Sequence, residues 1–269
     1  ILNLLLFIIV ISLAAVIFNS EQPDTQLKRL TGIDANGINT IQISHNNNSI
    51  HISRQQGDRW LITRPVKIEA NNFRISSLLK LINAPIHTQY SGSEIDLSAV
   101  GLSKPLTRIR FDDHEILFGR TNPATSLRYI MKDGTVYTIE DVYFPLISSH
   151  FGTLVAFDLL PQAAVIEKIM LPEQTIEKDD KGLWRNDIGS DADNIIKTVE
   201  HWKNDQAFGV HEYLQRKDIG KVSVYLKNRD KPITFQITDT DPWLVLARPD
   251  LGIEYHLDIK SYQQLIEPE

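Results

Sequence analysis

The chain has 269 residues, 42% hydrophobic and 23% charged, the balance of a globular protein rather than a disordered one. Its 34 acidic and 28 basic residues leave a net charge of −6 with no long run of like charge, which excludes an electrostatic grip on nucleic acid or anionic lipid. The absence of cysteine removes disulfides, thiolate metal sites, a cysteine nucleophile and a cysteine lipid anchor.

Leu4 to Phe18 is apolar except for Ser12. Eighteen helical residues at ~1.5 Å each cover ~27 Å, close to the ~30 Å hydrocarbon core. The run is long for a signal peptide, and Val16-Ile17-Phe18-Asn19 has no small-x-small cleavage site. Residues 1–18 are therefore expected to be a retained transmembrane anchor. An N-in, C-out arrangement would place the rest in the periplasm, on the outer face of a bacterial inner membrane. Ile1 is not methionine, so the positive charges that set orientation are expected upstream. A polar linker over 19–30 follows.

From residue 31 the chain reads as two copies of one pattern, 31–161 and 162–269. The first opens with alternating Ile41 and Ile43, a turn at Asn46-Asn47-Asn48, then Ile50 and Ile52. Gly57-Asp58-Arg59-Trp60 leads into a third strand. Ile75, Leu78, Leu79 and Ile82 form an amphipathic helical stripe, capped by Asn71 or Asn72 and stopped by Pro85. The second copy has Ile166, Ile169 and Leu171, then Lys181-Gly182-Leu183-Trp184. Its helix carries Ile195, Val199 and Trp202, with Asp191 or Asp193 as cap. Two hairpins follow in each copy: 109–118 and 129–139 in the first, 222–237 and 244–257 in the second. Each copy closes on a short helix, Tyr143 with Leu146 and Tyr262 with Leu265. Phe151 to Pro161 joins the copies. The predicted class is α+β, two tandem repeats of a mostly antiparallel sheet with a covering helix. Trp60 and Trp184 mark equivalent places and are expected to pack under the helix.

Gly57-x-x-Trp60, the capped helix, and Val100-Gly101-Leu102-Ser103-Lys104-Pro105 together resemble the bacterial domain of unknown function 4340 family. So do Gly119 at a strand end and the hairpin Tyr129, Gly134, Val136, Tyr137. The match covers residues 40–160 well; the second copy fits more loosely because it lacks the Gly-Leu-x-x-Pro step. The resemblance implies a single-pass anchored accessory subunit, in a family often encoded beside ABC-type transporter subunits of the gliding-motility kind. It supplies no catalytic residues.

Candidate chemistry is sparse. Asp112-Asp113-His114-Glu115 has metal-friendly side chains, but strand neighbours point to opposite faces, so a hairpin turn is the better reading. Asp239-Thr240-Asp241-Pro242 also reads as a turn. Asp191-Ala192-Asp193-Asn194 lacks the glycine and glutamate of a calcium loop and reads as a helix cap. His201 and His211 lie ten residues apart rather than at the i, i+4 spacing of a helical zinc site. Ser148-Ser149-His150 puts hydroxyls beside an imidazole without an orienting acid. Glycine-loop and dinucleotide fingerprints are missing. The expectation is a non-enzyme with no cofactor, no metal and no nucleic-acid partner. It would contact the bilayer and other membrane subunits through residues 1–18, and further subunits through its periplasmic domain. The competing expectation is a periplasmic ligand-binding or sensing module with a cleft between the repeats.

Overall fold

The computed structural model describes residues 27–267; the anchor predicted over residues 1–18 lies outside them. Among the described residues, no helix is long and apolar enough to cross a membrane.

The first copy contains β1 (Thr40–His45), β2 (Asn48–Arg54), β3 (Trp60–Arg64) and β4 (Ile68–Glu69). Helix α1 (Asn72–Leu79) and edge strand β5 (Thr88–Ser91) come next. Strands β6 (Thr107–Phe111), β7 (His114–Thr121), β8 (Leu127–Lys132) and β9 (Thr135–Glu140) then lead to helix α2 (Phe144–Ser148). The second copy has β10 (Ile166–Met170), β11 (Thr175–Lys178), β12 (Trp184–Asn186), α3 (Ala192–Asn204) and β13 (Gly209–Glu212). It ends with β14 (Gly220–Leu226), β15 (Ile233–Asp239), β16 (Trp243–Arg248), β17 (Ile253–Asp258) and α4 (Lys260–Leu265).

The sheets are antiparallel and share one strand order. The first runs β4-β3-β2-β1-β6-β7-β8-β9-β5 and the second β12-β11-β10-β14-β15-β16-β17-β13. In each, the long helix carries the chain from one edge across to the other, where a short strand pairs with the last hairpin. The second copy lacks only the two-residue β4. The edge strands β5 and β13 were not anticipated from sequence: Thr88-Gln89-Tyr90-Ser91 and Gly209-Val210-His211-Glu212 are too short and too polar to show alternation.

Local rules place most elements. Asn71 caps α1 by accepting the Arg74 amide, and Asp191 caps α3 by accepting the Asp193 amide. The β8–β9 turn uses Asp133 and Gly134, both at positive φ, as a two-residue hairpin requires. The cation–π pair Arg54–Trp60 at 4.6 Å recurs as Lys178–Trp184 at 4.9 Å. Trp60 is buried, whereas Trp184 is half-buried against the same core.

One continuous apolar core runs through both copies. The helical stripes Ile75, Leu78, Leu79 and Ile195, Val199, Trp202 face it. Trp202 stacks at 5.5 Å on Phe235 and donates its indole N–H to the Leu265 carbonyl, which ties α3 to α4.

The opposite face of each sheet is crossed by the loop after its edge strand. In the first copy that loop, residues 92–106, carries Gly101, Leu102 and Pro105, and builds a second small core from Val100, Leu102 and Val136. Gly119 admits it: the Arg120 amide donates to the Val100 carbonyl at 2.8 Å, and a Cβ at Gly119 would stand 2.4 Å from that same oxygen. Gly119→Ala should therefore lower stability by roughly 2–3 kcal/mol, as overpacking against backbone does. Urea denaturation of the purified chain measures this; an unchanged midpoint would refute the close approach.

Candidate functional site

The joining segment is where the copies meet. Its Leu154 carbonyl accepts the Asn71 amide at 2.8 Å, and its Ala156 amide donates to the Glu69 carbonyl at 2.9 Å. At the next residue, the Phe157 carbonyl accepts the Ala207 amide of the second copy at 2.9 Å. Arg74 lies over the Phe157 ring at 5.5 Å. The segment thus extends the β4 end of the first sheet and then serves the second copy as its lead-in.

That lead-in repeats. The Lys28 carbonyl accepts the Ile86 amide before β5, as the Phe157 carbonyl accepts the Ala207 amide before β13. The bridge Arg29–Pro85 matches Asp158–Gln206.

A cleft of about 290 Å³ opens beside the joining segment. Its walls are Leu61 and Ile68 from the first copy, Leu159 and Leu160 from the join, and Ile233 and Leu251 from the second copy. Lys67, Glu69, Asp158, Arg229 and Arg248 bring charge to it, and Tyr255 reaches it from β17. Arg248 is buried and held in a fork by Asp250, at 2.9 and 2.7 Å. Tyr255 is 2% exposed, and its hydroxyl has no hydrogen-bond partner among the described residues. Burial pushes its pKa up to about 12, with Arg248 opposing and Asp158 and Asp250 adding to the rise. Glu69 faces Arg59 at 3.9 Å, and Asp158 accepts the Gln206 amide at 2.9 Å. A second, more polar hollow lined by Trp60, Asn71 and Gln206 adjoins it across Glu69, Ala156 and Asp158.

On the outer face of the second sheet, the strap of residues 213–219 is fastened by charge instead of by apolar packing. Glu254, 1% exposed, faces Arg216 at 3.2 Å and His256 at 2.9 Å, and accepts the Leu214 amide at 3.2 Å. Glu254 takes the place held in the first copy by Val136: Glu254 pairs with His211 on β13, as Val136 pairs with Tyr90 on β5. His211 lies 4.6 Å from His256, and burial, then the His256 charge, lowers its pKa. Sequence reading missed this cluster because Leu214 and Arg216 are far from Glu254 and His256 in the chain.

The other residues singled out from sequence serve structure. The Asp112 carboxylate accepts the Asn39 and Thr40 amides and the Thr40 hydroxyl, clamping β1 to the β6–β7 turn. Asp239 accepts the Thr240 and Asp241 amides of its own turn. Ser148 donates to the Phe144 carbonyl and His150 accepts the Gly152 amide, so the hydroxyl and imidazole are not paired. His201 pairs with Asp205, while His211 faces His256. Tyr143 precedes α2, half-buried, and the Tyr262 hydroxyl donates to Glu267. Tyr137 packs against the main core. Among the described residues no group of three or more His, Asp or Glu is placed to hold a metal ion.

A family model described as "Domain of unknown function (DUF4340)" matches residues 60–216. That stretch runs from β3 across the join to Arg216, so it takes in parts of both copies rather than one repeat. No curated protein and no solved structure matches the chain.

Two predictions follow from these contacts. Arg216→Ala leaves Glu254 buried beside an imidazole alone and should cost about 2–4 kcal/mol, whereas Arg216→Leu with Glu254→Val, which imitates the first copy, should recover most of it. Chemical denaturation of the three proteins distinguishes them; equal stability for single and double variants would remove the pair's structural role. For Asp112, burial alone would raise the pKa, but the hydrogen bonds from Thr40 and Asn39 outweigh it and hold the carboxyl below its usual range. Its contribution is thus present at neutral pH and fades as pH falls below about 4 towards the lowered value. Asp112→Asn should lower the melting temperature at pH 7, and the gap from the parent should shrink on acidification.

Proposed function

We propose, from the premise that this chain belongs to the DUF4340 family, that it is a membrane-anchored, non-catalytic subunit presenting a periplasmic interaction domain to other chains of an inner-membrane complex. The observation that carries this reading is the state of the four sheet edges. The inner two meet at the join: residues 154–156 run along the β4 end, and the turn at Phe151–Leu154 packs on β13. The outer two, β5 and β12, pair with a strand on one side alone among the described residues. Open edges are ready docking sites because their backbone groups lack partners. Around β12 stand Leu183 and Ile188, 56% and 61% exposed. Association with an ABC-type transporter is the specific form this role takes in our reading. The apolar run over residues 1–18 supports the anchor.

The test is purification of the full chain in mild detergent, beside Leu183→Glu/Ile188→Glu and a form lacking residues 1–18. Expected are stoichiometric membrane subunits with the parent, fewer with the edge variant, and loss of membrane association without the anchor. A parent that purifies alone, or that is soluble with residues 1–18 intact, would overturn the proposal.

A second reading, a ligand-binding module, is favoured by one observation. Tyr255 lines the cleft between the copies, and its hydroxyl has no partner among the described residues.

A further inference from the structure

The cleft has two kinds of surface, and they limit what fits. Six aliphatic side chains, Leu61, Ile68, Leu159, Leu160, Ile233 and Leu251, give it an apolar wall drawn from both copies and the join. The polar groups free to act are donors. The side chains of Lys67 and Arg229 form no ion pair or hydrogen bond among the described residues, and both line the cleft from exposed positions. Tyr255 adds a hydroxyl with no acceptor among the described residues, and Arg248 adds a guanidinium edge fixed by Asp250. The two carboxylates present, Glu69 and Asp158, already face Arg59 and the Gln206 amide. Tyr255 lines the cleft with its hydroxyl unpaired, so an acceptor bound in the cleft would complete its hydrogen bonding.

We infer that the cleft binds a small amphiphile with one apolar chain or ring and one anionic, acceptor-rich head. The chain lies against the aliphatic wall, and the head meets Lys67, Arg229 and the Tyr255 hydroxyl. A volume of about 290 Å³ stands at the lower limit of ligand pockets, roughly 300–1,000 Å³, and so suits one short chain rather than a two-chain lipid. The inference rests on the ligand-binding reading and narrows it to a chemical class. It also gives the tandem arrangement a use, because both copies contribute to the wall and to the charges.

The experiment uses the full chain in neutral detergent with three photoreactive diazirine probes of equal length: decanoic acid, decanol and decylamine. Labelled peptides are mapped by mass spectrometry, which separates cleft labelling from labelling in the micelle. The acid should label the segments 61–68 and 159–160 about tenfold more than the amine, the scale of one charge-assisted contact. Lys67→Glu with Arg229→Glu, both exposed, should abolish that preference. Tyr255→Phe should weaken acid labelling about threefold to tenfold. Leu251→Trp, checked for folding by circular dichroism, should block all three probes. Equal labelling by acid and amine, still blocked by Leu251→Trp, would sink the anionic class while leaving the cleft as a binding site. The same follows if the charge-reversed variant keeps its preference. No labelling of the cleft by any probe would sink both the class and the ligand-binding reading.

Discussion

Backbone hydrogen bonding by residues 154–157 is the constraint on which the rest of the molecule depends. Leu154 and Ala156 complete the β4 end of the first sheet, and Phe157 completes the approach to β13 in the second. A segment shared in this way cannot act as a loose linker, because leaving it would strand backbone donors and acceptors from both copies at once. The relative placement of the two sheets, the continuous core and the cleft beside Leu159 and Leu160 all follow from it. The family match has the same extent, running through the join instead of stopping at it.

The two copies solve one structural problem in different chemistry. Each must fasten the loop after its edge strand over the outer face of the sheet. The first uses Val100, Leu102 and Val136, with Gly119 yielding the space. The second places Glu254 at the Val136 position, pairs it with Arg216 and sets it at hydrogen-bond distance from His256. Apolar packing tolerates approximate geometry, whereas a buried carboxylate requires its partners at hydrogen-bonding distance. The second strap, which has no counterpart of the Gly-Leu-x-x-Pro step, is accordingly the more demanding of the two. Arg128 shows the reverse substitution: in the first copy it forms a fork with Asp141 and lies 3.6 Å from the Phe144 ring centre, while the second sheet is apolar at the corresponding Leu244.

An interaction subunit and a ligand-binding module are compatible on this scaffold. The outer edges β5 and β12 lie away from the join, and the cleft lies at it. An occupant of the cleft would touch both copies, so it would bear on the same join that sets the position of the two outer edges. Coupling of this kind needs differential contact with two arrangements, and the cleft is a place where both copies contribute side chains to one cavity.

Short-range chemistry made most of the elements legible in the sequence. The alternation at Ile41 and Ile43, the turns at Asn46 and Asp133-Gly134, the caps Asn71 and Asp191 and the helical stripes depend on neighbours a few residues away, and each is where the sequence puts it. The duplication was readable for the same reason, since Trp60 and Trp184 recur with their strands and helices in order. The edge strands β5 and β13, the pairing of the join with both sheets, the Glu254 cluster and the cleft were not. Each depends on contacts between segments distant in the chain, such as Leu214 with Glu254 and Leu61 with Leu159, which become neighbours only when the long helices carry the chain across their sheets. Local pattern determines which segments are strands and helices, and the long-range pairing of backbone groups decides which side chains share a site.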